Sequence, residues 1–179
     1  MDRDAALTQL LDKDALRDLA TRYARAIDRR DPDLLRSVYH EDAIDDHGVV
    51  FCDHAATFVA RQPEIMAPFA ITAHYLCNQS YRIDGDRADG EIYFIAYHRT
   101  VEEEAEADVK HLIVNGRYLD NYERRAGIWK IAHRRLVWDA FITLDAAASD
   151  LAQLAALGVA GTTADDRSYA ALPLMGRGR

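Results

Sequence analysis

Two residues of this sequence combine a reactive side chain with an unusual position: an aspartate closing a helical stretch and a histidine opening a strand. Asp28 falls in the last turn of an amphipathic segment, where the helix macrodipole disfavours a carboxylate. On a helical wheel it flanks the apolar stripe, one turn beyond Ala24, which suits an acceptor with a specific partner. The plainer alternative is a surface ion pair with Arg29 or Arg30. His74 stands in Ile71-Thr72-Ala73-His74-Tyr75, among mostly apolar neighbours. A neutral imidazole there can take a proton from carbon or oxygen, provided a carboxylate fixes its tautomer and stabilises the imidazolium. A hydrogen-bonded core histidine with no chemical role is the alternative.

Other candidates are weaker one by one. Tyr23 lies on the apolar stripe, and a buried hydroxyl needs a partner. His98 shares a strand face with Ile92, Phe94 and Ala96, although apolar odd-numbered neighbours leave the choice of face open. Arg134, Arg135 and Trp138 could supply anion or aromatic contacts. Asp45, Asp46, His47, Asp53 and His54 cluster locally, but they read as a solvated acidic turn and lack the spacing of a metal motif. There is no phosphate-binding glycine loop, nucleophile elbow or dinucleotide fingerprint.

The elements that must position these residues follow from periodicity. Leu16, Leu19, Ala20, Tyr23, Ala24 and Ile27 predict an amphipathic helix over about Asp14 to Arg30. Asp31-Pro32 restarts the chain into a short helix reaching Tyr39. His40 to Ala43 reads as a polar exit and Asp45 to Gly48 as a turn before Val49-Val50-Phe51. A third helix spans Ala55 to Phe69, broken or bent at Pro63. Strands are expected over Tyr75–Ile83, Glu91–Thr100, Val109–Arg124 and Ile128–Trp138, with turns at Asp84-Gly85-Asp86 and Arg125-Ala126-Gly127. The acidic run from Glu102 to Glu106 reads as a loop. In the tail, Ser149 could cap a helix carrying Leu151, Leu154 and Leu157, stopped by Gly158. Gly161 to Arg179 reads as an arm that frays unless it packs on its own body or a neighbouring subunit.

Helices first and a strand meander after them give an α+β fold, with helices on one face of a curved antiparallel sheet. At 179 residues the chain suits one domain, with a core over about residues 10–142 and a tail over 145–179. The net charge of −8 argues against a nucleic-acid partner and against an anionic membrane surface. No apolar run approaches the roughly 18 residues that a membrane span needs. The charged start Met1-Asp2-Arg3-Asp4 does not resemble a secretory leader, and two cysteines without close spacing fit a reducing compartment, so a cytoplasmic protein is expected.

Taken together, Ala26-Ile27-Asp28-Arg29-Arg30-Asp31, Tyr39-His40-Glu41-Asp42-Ala43, Thr72-Ala73-His74-Tyr75 and the hairpin Tyr122 to Ile131 resemble the SnoaL-like branch of the nuclear transport factor 2-like superfamily. The resemblance covers about residues 10–140. It implies a cone-like barrel enclosing one pocket, and an Asp–His dyad that drives elimination with no cofactor and no metal. The dyad positions fall on Asp28 and His74. Tyr23, His98 and Arg134 match further catalytic positions, while Tyr39, Tyr118 and Trp138 are expected to contact the substrate. The implied activity is a dehydratase, dehydrohalogenase or formaldehyde lyase acting on a small hydrophobic cyclic or aromatic substrate. Isomerase or cyclase chemistry, or ligand binding without catalysis, are the rival readings. A homo-oligomer, trimer or dimer, is the expected assembly.

Overall fold

The computed structural model describes residues 2–101, 109–157 and 161–178. Helix α1 runs from Arg3 to Asp28 and buries Leu16, Leu19, Ala20, Tyr23, Ala24 and Ile27 as the stripe predicts. It starts well before Asp14, because its first turns form without burying much: Leu7, Leu10 and Leu11 are all exposed. Arg30 takes a left-handed conformation (φ 46°) that breaks the helix. Asp31 then caps α2, Pro32–Ser37, by accepting the backbone N–H of Leu34 at 3.1 Å, with Pro32 in the first turn.

The stretch read as a polar exit and turn is a strand, β1, Tyr39–Asp46. Tyr39, Ala43 and Asp45 are buried while Glu41 and Asp42 face out. Two features hid it from the sequence: a buried charge interrupts its alternation, and its long partner pairs in parallel from far along the chain. That early strand also ends α2 at Ser37, short of Tyr39. β2, Cys52–His54, returns antiparallel to β1. α3 spans Ala55–Met66 and carries Pro63 within it.

Four long strands follow: β3 Phe69–Asp84, β4 Arg87–Thr100, β5 Lys110–Arg125 and β6 Ile128–Asp145. β6 continues past Trp138 because Lys110 to Asn115 of β5 pair with it as far as Asp145. Its hairpin with β5 turns at Ala126 and Gly127, both at positive φ, the backbone a tight two-residue turn requires. The sheet order is β2-β1-β6-β5-β4-β3, antiparallel except for β1 beside β6. It curves without closing, and α1 and α3 pack against it to complete the cone.

After β6, α4 covers Ala148–Leu157. Ser149 lies inside this helix and bonds Asp150, so it is not the cap; Leu151 alone of the three leucines is buried, beside Val109 and Ala146. The arm holds α5, Arg167–Ala171, and a 3-10 turn at Pro173–Met175, and it packs on its own body. Arg25 reaches Ser168 and the Met175 carbonyl, Arg29 pairs with Asp166, and Arg177 donates to the carbonyls of Arg29 and Arg30. The acidic run and the stop at Gly158 lie outside the described residues.

Candidate active site

Asp28 is the last residue of α1, and its carboxylate meets the first third of β3. Oδ1 lies 2.7 Å from His74 Nδ1, and Oδ2 accepts the backbone N–H of the same histidine at 2.9 Å. Both oxygens therefore serve one residue, fixing ring and carboxylate together. Because a carboxylate only accepts, the ring proton belongs on Nδ1 and Nε2 carries the free lone pair. Burial works to raise the Asp28 carboxyl, but the hydrogen bonds and charge of His74 outweigh it and hold the group below its usual range.

His74 faces a cavity of about 470 Å³ between the helices and the sheet. α1 contributes Tyr23 and Ile27, α3 contributes Phe58, Ile65 and Met66, and β3 adds Phe69. Phe94, Ala96 and His98 come from β4, Leu112, Val114 and Tyr118 from β5, and Leu136, Trp138 and Phe141 from β6. The even-numbered face of β4 is thus the inner one. Arg61 and Glu64 also border the cavity and pair with each other at 3.1 Å. Such a volume and apolar lining suit a small organic molecule.

The imidazole of His98 stands edge-on to that of His74, with centroids 5.7 Å apart. Burial, reinforced by His74, pushes His98 down to about 4, so it is neutral at neutral pH. Its Nδ1 has no hydrogen-bond partner among the described residues.

Behind the wall lies a buried charged row. Arg134 donates to both oxygens of Asp120, at 2.8 and 2.6 Å, and Tyr122 donates to the same carboxylate. Its guanidinium sits 3.9 Å from the ring centre of Tyr23 and 4.1 Å from that of Tyr118. Tyr118 in turn stacks on Phe94 at 4.4 Å, where Gly116 leaves room that a Cβ would fill. On the other side, Asp45 stands beside Arg134 in the β1–β6 register. Asp45 accepts from the Tyr39 hydroxyl and lies 2.7 Å from His47 Nε2. Burial raises the Tyr23 hydroxyl well above the usual phenol range, with Tyr118 and Asp45 adding to the effect and Arg134 opposing it.

The sequence pattern of the SnoaL-like domain matches residues 8–135, most of the chain, from within α1 to the first part of β6. The chain belongs to the SnoaL-like family, within the nuclear transport factor 2-like superfamily. No curated protein matches it. Among solved structures it is similar to a type 2 hexachlorocyclohexane dehydrochlorinase, with a TM-score of 0.70 and 21% identity over 78% of this chain and 93% of that one. A scytalone dehydratase-like protein from Novosphingobium aromaticivorans gives 0.67 and 22% over 79% and 92%. A third, from the same organism and resembling an aromatic ring hydroxylase, gives 0.66 and 26% over 75% and 94%.

In this SnoaL-like domain the expected residues divide into two groups. Tyr23, His74, His98, Tyr118 and Trp138 line the cavity, and Asp28 stands directly behind His74. Arg134 and Tyr39 do not line it; both are buried behind the aromatic wall. This corrects the expectation of direct contact: Arg134 is engaged by Asp120 and meets the cavity wall only at the faces of Tyr23 and Tyr118, and Tyr39 spends its hydroxyl on Asp45. The acidic turn is also corrected, since Asp45 is a fully buried strand residue. Asp46 and Asp53 accept local backbone N–H groups, and among the described residues no group of three or more His, Cys, Asp or Glu is placed to hold a metal.

Three residues of the site, Asp45, His47 and Asp120, carried no functional assignment in the sequence. Asp120 had one available signal, an aspartate in an otherwise alternating strand fourteen residues before Arg134 across a hairpin. Reading it required the β5–β6 register, which sets the two opposite each other.

Proposed function

We propose that the protein is a cofactor-independent lyase in which His74 is the general base and Asp28 orients it. The observation that carries this reading is the double engagement of Asp28 with His74, which leaves Nε2 as the nitrogen available on a residue that lines the cavity. His74 Nε2 takes a proton from a carbon of the substrate, the C–H electron pair forms the new double bond, and a leaving group departs from the adjacent carbon. The Asp28 carboxylate stabilises the imidazolium so formed. Tyr23 and His98 serve as hydrogen-bonding groups for the substrate, and Arg134 acts electrostatically through the tyrosine rings. The aromatic lining of Phe58, Phe94, Tyr118 and Trp138 favours a small or medium cyclic or aromatic substrate. The dehydrochlorinase and the scytalone dehydratase-like protein that share the fold support elimination as the reaction type.

The test is a screen of cyclic and aromatic alcohols, halides and hydroxymethyl compounds against wild type and His74→Ala. The expected result is a product lighter by water, hydrogen halide or formaldehyde, lost in a variant that melts like wild type. Full activity in His74→Ala, or a product of unchanged mass, contradicts the reading; the latter is the signature of an isomerase.

The protein further assembles as a homo-oligomer on this reading. Tyr75, Tyr93, Ile95 and Ile142, on the sheet face away from the cavity, are all more than 40% exposed, which another copy of the chain would cover. Sedimentation at micromolar concentration checks it, and a monomer there refutes it.

A further inference from the structure

A second histidine–carboxylate pair borders the same cavity. His47 follows β1 immediately, lines the cavity, and packs its ring 5.0 Å from Phe58. Its Nε2 lies 2.7 Å from Asp45 Oδ1, within ion-pair distance although the angle is outside hydrogen-bond geometry, so Nδ1 is the nitrogen left for a ligand. β1 and β3 are separated by β6, β5 and β4 in the sheet, so His47 and His74 approach the cavity from different sides of the cone.

The surroundings of Asp45 decide what this second pair can do. The buried row contains two carboxylates, Asp45 and Asp120, against one guanidinium, Arg134; all three side chains have zero exposure. Buried charge is costly unless balanced, and a proton on His47 makes the cluster neutral. Tyr39, hydrogen-bonded to Asp45, already donates to it, and His133, which also feels Asp45 and Asp120, is pushed down by burial and by Arg135. At the rim Arg61 and Glu64 balance each other, and across the cavity stand His74 and His98. The other polar groups are poorer acids: burial leaves the Tyr23 phenol far above its ordinary value and His98 without its second proton at neutral pH.

Resting on the lyase reading and extending it to the substrate class, we infer that His47, held by Asp45, is the general acid of this cavity and that the leaving group is an oxygen that must be protonated, as in a secondary or benzylic alcohol. His74 Nε2 takes the proton from carbon and the C–H pair becomes the alkene. The C–O pair goes to oxygen, which takes the proton from His47 Nδ1 and leaves as water. The two imidazoles end with exchanged protonation states and return to the start through solvent, so alcohol gives alkene plus water with no other reactant.

The experiment uses two probes that give the same enone, read by its absorbance: 4-hydroxy-4-phenylbutan-2-one, which must lose water, and its O-acetyl ester, which loses acetate without needing a proton. In the full-length protein His47→Leu is expected to lower the alcohol-to-acetate ratio of kcat/KM by about 10²–10⁴-fold, the usual contribution of a positioned acid. His47→Phe, which fills the space against Phe58, guards against a folding defect and is expected to do the same. His74→Ala is expected to lose both reactions and leave no ratio to read. A ratio unchanged in both His47 variants overturns the inference while leaving His74 as base. Wild type that eliminates acetate but not water overturns it equally. A His74→Ala protein that retains both reactions overturns the underlying lyase reading instead.

Discussion

Asp28 and Asp45 each stand 2.7 Å from a histidine nitrogen, the first in a hydrogen bond and the second at ion-pair distance only, and they lie in opposite surroundings. Asp28 ends a helix, keeps 13% of its side chain exposed, and gives both oxygens to one residue. Asp45 lies in the middle of the molecule with no exposure, between a tyrosine hydroxyl and a strand neighbour that is a buried cation. The first carboxylate holds the ring and backbone N–H of one residue, with the Thr72 side chain nearby, an arrangement that suits the proposed base. The second belongs to a fully buried charged row with Arg134 and Asp120, in which a proton on its histidine would complete the charge balance. On the proposed mechanism the same two residue types would serve one cavity in complementary roles because burial and neighbours differ, not because the pairs do.

The sharpest way to break this contrast is to remove the orienting carboxylate. Asp28→Asn presents an amide that can donate to Nδ1, turning His74 to the wrong tautomer, and is expected to cost about 10²–10⁴-fold in kcat/KM. Circular dichroism is expected to keep the folded signature, with a modest fall in melting temperature as the Asp28 contribution is lost; an active Asp28→Asn enzyme would make the pair structural.

Arg134→Met attacks the other region. It strands two carboxylates in the interior, and breaking a buried pair in this way costs about 3–5 kcal/mol, read from urea unfolding. If Arg134→Met unfolds at the wild-type midpoint, the charged row is not what holds the second pair.

A pH series separates the groups more gently. His98 falls from 6.5 to about 4 on folding, so between these values the unfolded chain binds more protons. Stability is therefore complete above pH 6.5 and declines as pH falls towards 4. Asp28 acts lower down: its contribution is present above its ordinary value of 3.8 and is lost as pH drops through its depressed folded value. His98→Phe is expected to flatten the decline of melting temperature between pH 6.5 and 4, and an unaltered slope would place the effect on other groups.

The smallest effect belongs to the hinge between α1 and α2. Asp31→Ala removes the cap on Leu34 and the contact of Oδ2 with the Gly178 N–H, for about 1 kcal/mol. Thermal melts check it, and an accompanying release of the arm would appear as faster amide exchange at residues 166–178.

The legible parts of the fold were those governed by local rules. The stripe of α1, the Asp31-Pro32 restart and the Ala126-Gly127 turn follow from periodicity, capping and backbone geometry over a few residues. β1 escaped because its alternation includes a buried aspartate and its parallel partner begins almost ninety residues later. The site shows the same division. Asp28 announced itself as a carboxylate at the wrong end of a helix, but nothing near His74 in sequence revealed its partner, and the family resemblance supplied it. Asp45 and His47 looked like solvated turn residues for the reason that hid β1: Asp45 is buried by Arg134 and Tyr39, through a strand pairing that no local pattern encodes, and His47 packs on Phe58 of α3.

In the proposed mechanism His74 acts from the tautomer whose proton is held on Nδ1 against Asp28, and imidazole nitrogen-15 NMR reads that directly without a substrate. The expected spectrum shows a protonated Nδ1 and a bare Nε2, and a tautomer shift in Asp28→Asn. A proton found on Nε2 in wild type, with Nδ1 bare, would contradict it.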